Sequence, residues 1–339
     1  MRFSCGCSHT HVRHFDHVLG TALEIQLQTS HKAAVQVADQ AILKEIDRLE
    51  GVFSRFLPSS ELNTLLNHSG QKQTLSSEMA WLLHTSQKFS DLTGNAYHPA
   101  ADQLWQMWKQ ASNLNELPEY DFRLPASDLW SFHAEQDVTL HHQGTLNFNA
   151  LAKGRIADLA AQKGHQVEGV QQTLVNLGGD LRHLGSHKVL VQIENPFSPF
   201  DQNQPVSAVF ICNQGVATSG PSRRSFQVAG QQFNHIFDPR TGRPVQHLVS
   251  ATVLAPDCAT ADVLSTAFSV LQPAESLALA DTLPDIGCLL ITREGEIFSN
   301  AFWDQHIPRT SSQPSLFSRL VRSWRGFRKT RPPSRIPKR

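Results

Sequence analysis

Apolar and polar positions alternate in some stretches of the chain and recur at helical spacing in others. Residues 17–28 alternate, which predicts a half-buried strand, and residues 33–49 repeat apolar side chains every three or four positions, which predicts a helix. A second helix is predicted over 77–92, because Ser76 and Ser77 offer N-caps and Gly94 offers a stop. Residues 130–142 again fit a strand. An alanine-rich helix follows over 149–163 and ends at Gly164.

The second half of the pattern consists mostly of short strands. They are predicted at 173–176, 188–194, 206–212, 225–228 and 249–254. Two helices near 259–271 and 274–283 precede a closing hairpin, 288–292 and 297–299, which turns at Glu294-Gly295. Residues 113–125 fit a loop. Because strands and helices do not alternate regularly, the pattern favours an α+β fold with mixed, largely antiparallel sheets and flanking helices.

Charge divides the chain into a body and a tail. The formal net charge of the 339 residues is zero, but ten Lys or Arg and no acid lie from residue 308 onward, which leaves −10 on the rest. We therefore expect a disordered N-terminus (1–15), a folded domain (16–307) and a basic tail (308–339). The tail is either solvated and disordered or an amphipathic helix on an anionic membrane.

Neither the cysteines nor the hydropathy indicates a secreted or membrane-spanning protein. The five cysteines have no zinc-ligand spacing and no disulfide pattern. The first fifteen residues lack the apolar segment of a secretory signal, and no run reaches the 18 apolar residues of a membrane span. The expected location is cytoplasmic, with peripheral contact to the inner membrane if the basic tail binds lipid.

Three segments carry groups that suit an anion. Gly178-Gly179-Asp180 follows a strand, and paired glycines let backbone N–H groups approach an anion closely. Thr218, Ser219 and Gly220 offer two hydroxyls after another strand. His235 lies three residues before Asp238, and a histidine with a pKa near neutrality can serve as a base. Taken singly, each segment also fits a plain turn or a satisfied core histidine.

A fourth segment suits a cation. Asp262 and Thr266 are four residues apart on a predicted helix and therefore share one face. A carboxylate and a hydroxyl are hard oxygen ligands suited to Mg²⁺, which takes substrate phosphates and waters as its remaining ligands. Lys153 could serve a phosphate or flavin oxygen, and nearby backbone carbonyls could complete a metal shell. The residues thus indicate phosphoryl or pyrophosphate chemistry without naming the substrate.

These segments, in this order, resemble the ApbE family of FAD:protein FMN transferases. The likeness also includes Val18-Leu19-Gly20-Thr21, Phe53-Ser54-Arg55-Phe56 with Ser60-Glu61-Leu62, and Ala150 to Gly154, and it spans nearly everything before the basic tail. The resemblance implies an ApbE-like, T-fold-like architecture. It also implies covalent attachment of FMN from FAD, through a phosphoester, to a Ser or Thr of a redox or membrane-associated partner protein, with AMP released.

The resemblance assigns roles to individual residues. Mg²⁺ would bridge the FAD pyrophosphate to the backbone carbonyl of Ala150 and to the side chains of Asp262 and Thr266. His235 would be the catalytic base, and its alanine variant should lose transfer while still binding FAD. The residues expected to contact FAD are Leu19, Phe56, Ala96, Tyr97, His98, Asn147, Lys153, Gly178, Gly179, Asp180, Thr218, Ser219, Gly220 and His235.

Two departures from the family pattern keep other functions open. The family usually has Asp-Leu-Gly where this chain has Asn147-Phe148-Asn149, and Phe-Asp-Pro-Thr where it has Tyr97-His98-Pro99-Ala100. An amide and an imidazole thus replace two carboxylates, and we expect a less negative pocket. An FAD pyrophosphatase and a non-catalytic FAD-binding protein therefore remain as alternatives, and nucleic acid is not an expected partner.

Overall fold

The strands build one large antiparallel sheet and several small ones. In this computed structural model the described residues are 9–118, 124, 128–198, 204–220, 225–234 and 236–308. The strands are β1 (His9–Val18), β2 (Thr21–Thr29), β3 (Lys72–Thr74), β4 (Trp130–Phe132), β5 (Asp137–Leu140), β6 (Val170–Leu177), β7 (Asp180–Gly185), β8 (Val189–Ile193), β9 (Ser207–Ile211), β10 (Gly215–Ser219), β11 (Ser225–Val228), β12 (Gln231–Asn234), β13 (Phe237–Asp238), β14 (Arg243–Pro244), β15 (Leu248–Ala255), β16 (Gly287–Thr292) and β17 (Ile297–Ser299).

The helices lie between these strands. They are α1 (Lys32–Phe53), α2 (Glu61–Asn67), α3 (Ser77–Leu92), α4 (Asp102–Leu114), α5 (Asn149–His165), α6 (Cys258–Val270), α7 (Pro273–Thr282) and α8 (Ala301–His306), with a 3-10 turn at Pro99–Ala101. Side chains cap several of them. Ser76 accepts from the Met79 N–H at the start of α3, and Asp257 accepts from the Thr260 N–H at the start of α6.

The large sheet has eight strands in the order β1-β2-β6-β7-β10-β15-β16-β17, and its pairs are antiparallel. β2 shows why it forms: Leu23, Ile25 and Leu27 alternate inward and are at most 1% exposed. Helices α1, α5 and α6 pack against this sheet, and their apolar faces share one core with it. The sheet therefore holds α5 and α6 side by side.

Glycine permits the closest approach between α5 and α6. A Cβ atom on Gly154 would lie 2.5 Å from the carbonyl oxygen of Cys258 at the start of α6, so a larger residue would push the two helices apart. This contact brings the first turns of both helices together, and it is where the candidate site lies.

A smaller aromatic cluster closes one side of the domain. Trp108 of α4 packs against Phe226, Phe233 and Phe237, and its indole N–H donates to the Gly242 carbonyl at 2.9 Å. A three-stranded sheet, β3-β5-β4, and a β8-β9 hairpin complete the described architecture. The α+β fold with largely antiparallel sheets and flanking helices is confirmed.

Several predicted helices lie close to their expected bounds, whereas two predicted strands and one predicted loop have different bounds in the structure. The helix over 77–92 is α3, and the helices predicted at 33–49, 149–163, 259–271 and 274–283 are α1, α5, α6 and α7. The predicted strand 17–28 is divided by the turn between β1 and β2. Residues 130–142 form the two strands β4 and β5 rather than one, and the predicted loop 113–125 begins inside α4.

The expected disorder of residues 1–15 is wrong for its second half. Residues from His9 onward form β1, which pairs with β2 in a register that runs from His9 opposite Thr29 to Phe15 opposite Leu23. Its side chains are mostly polar and exposed, so the strand is held by backbone hydrogen bonds to the neighbouring strand β2 rather than by its own apolar pattern. Residues 1–8 and nearly all of the basic tail lie outside the described residues.

Within the described part of the chain, every helix is too short or too polar to cross a membrane.

Candidate functional site

Asp262 is the centre of the candidate site, and the packing of α5 against α6 places it. Its side chain is 3% exposed, and one carboxylate oxygen accepts the Gly154 N–H at 3.2 Å. Because a helical carbonyl points toward the N–H four residues later, the Ala150 carbonyl is directed toward this same N–H group. Ala150 and Asp262 thus lie on either side of the Gly154 N–H, and their role as metal ligands stays a prediction.

Lys153 and Asp180 form an ion pair beside Asp262. The Lys153 ammonium donates to the Asp180 carboxylate, whose side chain is 4% exposed. Burial and the negative charge of Asp180 raise the pKa of Asp262 to about 8. Partial burial alone would lower the pKa of Lys153, but the charges of Asp262 and Asp180 raise it, so the lysine stays cationic. One lysine therefore faces two buried carboxylates.

Hydroxyl groups lie one turn further along α6, on the face that carries Asp262. Ser219, at the end of β10, lies 2.8 Å from the Ser265 hydroxyl and 3.2 Å from the Thr266 hydroxyl. Thr218 faces away, and its hydroxyl pairs with Thr252 at 2.9 Å. A Cβ atom on Gly220 would lie 2.6 Å from the Val249 carbonyl oxygen, so the chain there is tightly packed. Of the two predicted hydroxyls, Ser219 is the one joined to the Asp262 helix.

The Gly178-Gly179 turn positions Asp180 but uses its own N–H groups internally. Both glycines have positive φ, +67° and +104°. The Gly178 N–H donates to the Ala22 carbonyl at 2.9 Å, and the Gly179 N–H donates to the Asn176 side chain at 3.0 Å. Both N–H groups thus have acceptors within the protein, and contact of the two glycines with an anion stays a prediction. What the turn provides is open space above Gly179 and the direction of the Asp180 carboxylate.

Asp158 supports the site and was not among the predicted site residues. Its two carboxylate oxygens accept the N–H groups of Cys258 and Ala259 at 2.8 and 3.0 Å, which fixes the first turn of α6 to α5. Arg182 approaches it at 3.4 Å. Burial, together with the negative charge of Asp257, raises the pKa of Asp158 to about 6. The only signal in the sequence was an acid on the buried face of an alanine-rich helix.

A second polar network joins the exposed ring of Phe56 to the start of α5. Phe56 is 76% exposed, and the Arg55 guanidinium lies 4.7 Å from its ring centre. Arg55 pairs with the Asp102 carboxylate at 2.8 Å, and the Asn147 amide donates to the same carboxylate at 3.1 Å. Asn147 in turn accepts the Asn149 N–H at 3.0 Å. Arg55 and Asp102 were not among the predicted site residues.

The remaining residues that were predicted to contact the flavin differ in burial and in position. Ala96 and Tyr97 are at most 3% exposed, and the Tyr97 hydroxyl lies 3.1 Å from Ser86, so both side chains belong to the core. Burial, with the nearby His142, lowers the pKa of His98 to about 4, which makes it a neutral imidazole at pH 7. Leu19 has φ +51° in the β1–β2 turn. His235 lies outside the described residues.

The donor set of the site fits a magnesium ion. Asp262, Asp180, the hydroxyls of Ser219 and Thr266, and the Ala150 carbonyl are all oxygen donors, and a cation bound beside Asp262 would favour the ionised form of that carboxyl group. Among the described residues no cluster of three or more His, Cys, Asp or Glu side chains is suited to a metal.

Comparison with known proteins places the chain in a family. A sequence profile described as the ApbE family matches residues 19–290. The "FAD:protein FMN transferase" of Escherichia coli K12 is 33% identical over 161 residues, which are 45% of this chain and 44% of that protein. The Haemophilus influenzae protein of the same name is 28% identical over 294 residues, covering 80% of each chain. The matched region thus spans less than half of the E. coli relative.

Solved structures show the same fold. The ApbE protein of Thermotoga maritima, solved at 1.58 Å resolution, aligns with a TM-score of 0.73 and 22% identity over 89% of this chain and 100% of its own. With the family profile covering most of the chain, the carboxylates and hydroxyls gathered around α5 and α6 belong to a member of the ApbE family.

Proposed function

We propose that this protein is an FAD:protein FMN transferase that uses Mg²⁺ and attaches FMN to a Ser or Thr of a partner protein. The observation that carries the proposal is the convergence of Asp262, Asp180, Lys153 and the Ser219 and Thr266 hydroxyls at the α5–α6 contact. Family membership and the names of the relatives support it, because both E. coli and H. influenzae relatives are named for this activity.

Three groups of residues would hold the metal ion, the diphosphate and the flavin ring. Asp262, Thr266 and the Ala150 carbonyl would hold Mg²⁺, which when bound neutralises charge on the phosphoryl oxygens. Lys153, kept cationic by its two carboxylate neighbours, would attract the diphosphate of FAD. Phe56, exposed and backed by Arg55, would stack against the isoalloxazine ring.

In the proposed reaction an acceptor hydroxyl oxygen bonds to the FMN phosphorus of FAD. The bond from that phosphorus to the bridging oxygen of the diphosphate breaks, and AMP leaves with the bridging oxygen and its electron pair. The hydroxyl proton passes to a base, a role proposed for His235. No outside oxidant or reductant is needed.

One assay tests the proposal against its alternatives. The protein is incubated with FAD, Mg²⁺ and a candidate acceptor, and the products are examined for in-gel flavin fluorescence and for AMP. A fluorescent acceptor together with AMP supports the transferase. AMP without labelling indicates an FAD pyrophosphatase, and retention of FAD without either product indicates a binding protein.

Matched variants link the activity to the site. Asp262→Ala and Thr266→Val should each lower transfer by about 100-fold or more, because each removes an oxygen from the proposed cation site. Asp47→Ala is the control, since Asp47 is an exposed carboxylate on α1. Full transfer by Asp262→Ala would overturn the assignment of the site.

A further inference from the structure

A cleft on the far side of α5 is lined by three basic side chains, and in the described part of the chain two of them have no ion pair with a carboxylate. It has a volume of about 390 Å³ and lies between α3, α5, β7 and the first turn of α6. Its charged lining residues are Lys88, Arg155, Asp158, Arg182 and Asp257. We call it the α3–α5 cleft.

The cleft is separate from the site around Asp262. Helical residues are displaced by about 100° each, so Arg155, Asp158 and Gln162 lie roughly opposite Lys153 on α5. The cleft thus uses a face of α5 that the proposed reaction leaves free.

Both acids of the cleft are already engaged in structure. The two carboxylate oxygens of Asp158 accept hydrogen bonds from the N–H groups at the start of α6. Asp257 caps the same helix by accepting the Thr260 N–H at 2.7 Å. Arg182 lies next to Asp158 and donates to the carbonyls of Asn213 and Pro256. These three groups hold the walls of the cleft together.

Arg155 and Lys88 are the two cations left over. The Arg155 guanidinium lies 4.2 Å from the ring centre of Trp81, and its Nε atom is buried without a hydrogen-bond partner. Burial lowers the pKa of Arg155, and the charges of Asp158, Glu78 and Asp257 only partly oppose this shift. In the described part of the chain, neither Arg155 nor Lys88 has an ion pair with a carboxylate.

These contacts define what would fit. A guanidinium fixed by an aromatic ring presents a fork of N–H donors, which matches two oxygens of a tetrahedral anion, while a lysine adds a point charge. We propose that the α3–α5 cleft is a second binding site, for a small phosphate-bearing anion held by Arg155 and Lys88. The volume of the cleft exceeds that of inorganic phosphate, so a phosphomonoester is accommodated.

Inorganic phosphate is the probe for the test. The full chain in EDTA is titrated by calorimetry, with and without saturating FAD, so that binding at the FAD diphosphate site is separated from binding in the cleft. We expect a dissociation constant of about 1 mM that FAD does not change. Displacement by FAD, or no binding up to about 50 mM, would overturn the proposal.

Variants of Arg155 and Lys88 test whether these two side chains bind the anion. Arg155→Met and Lys88→Met should each weaken phosphate binding by about tenfold or more. Lys163→Met is the control, because it removes a cation from the same helix but not from the cleft, and it should change the affinity by less than about twofold. Lys88 is exposed, so its variant tests the proposal even if Arg155→Met folds poorly. Equal weakening by all three variants would indicate non-specific attraction and refute the site.

Discussion

Replacing Asp262 with asparagine is expected to stabilise the fold at pH 8 in the absence of metal while it removes the main anionic oxygen of the site. Asp262 is 3% exposed, and burial together with the charge of Asp180 raises its pKa to about 8. Asparagine has nearly the same shape and keeps an acceptor for the Gly154 N–H, but it carries no charge. The carboxylate is thus retained at the expense of stability.

The sign and size of the expected change in the free energy of unfolding follow from the pKa of Asp262. The folded state holds the Asp262 proton more tightly than the unfolded chain, whose ordinary pKa is 3.8, so stability falls as pH rises from about 4 through 8. Each pH unit in that window costs about 1.4 kcal/mol, which sets an upper limit on the order of 5 kcal/mol at pH 8. Because local relaxation and water reduce such costs, we expect Asp262→Asn to gain about 1 to 3 kcal/mol at pH 8 and less at pH 5.

Urea unfolding followed by tryptophan fluorescence measures this difference at pH 5 and pH 8 in EDTA. Adding Mg²⁺ at pH 8 should raise the free energy of unfolding of the wild type, because a bound cation compensates the carboxylate, and should leave the variant unchanged. Asp47→Asn serves as the exposed control. A variant less stable than the wild type at pH 8 in EDTA would show that the carboxylate is already compensated within the protein, and the reasoning would fail.

Three further predictions concern the scaffold and the flavin side of the site. Asp158→Ala should lower the free energy of unfolding by about 3 kcal/mol, because it leaves two helix N–H groups without acceptors and removes the carboxylate beside Arg182, and thermal unfolding measures this. Gly154→Ala should lower the free energy of unfolding by about 2 kcal/mol or more, because its Cβ atom would clash with the Cys258 carbonyl. Gly51→Ala, at an open position of α1, is the control and should raise the free energy of unfolding by up to about 1 kcal/mol. Equal effects of the two changes would contradict the packing argument. Phe56→Ala and Arg55→Met should each weaken FAD binding by about tenfold in a flavin fluorescence titration, and additive losses in the double variant would show that the two side chains act independently.

The local elements were largely predictable because their signals are local. The N-cap serine and the helical spacing of apolar residues fixed α3 to its observed bounds, 77–92. The strand β1 was missed because its polar, histidine-rich sequence has no apolar alternation, and its stability comes from pairing with β2. The short helices α2 and α8 and most of α4 were also missed, although Ser60 and Asn300 cap the first two and the buried residues Leu104, Trp108 and Ala111 of α4 recur at helical spacing.

The candidate site shows the same division. The i to i+4 spacing of Asp262 and Thr266 placed both on one face of α6, and sequence alone could establish that. No spacing predicts that Asp180 shares Lys153 with Asp262, that Asp158 anchors α6, or that Arg55 links Phe56 to Asp102, because these partners are 27 to 108 residues apart. The partner of the Gly178 N–H, the Ala22 carbonyl, is likewise distant in sequence.

The amino-acid sequence by itself determined the helices and strands with strong periodicity, the family, and the residue types of the proposed diphosphate and cation site. The tertiary structure decided which of those residues meet. It also decided the charge state of the buried acids, because the pKa of Asp262 depends on desolvation and on Asp180, and both exist only once α5, α6 and the β6–β7 turn have packed together.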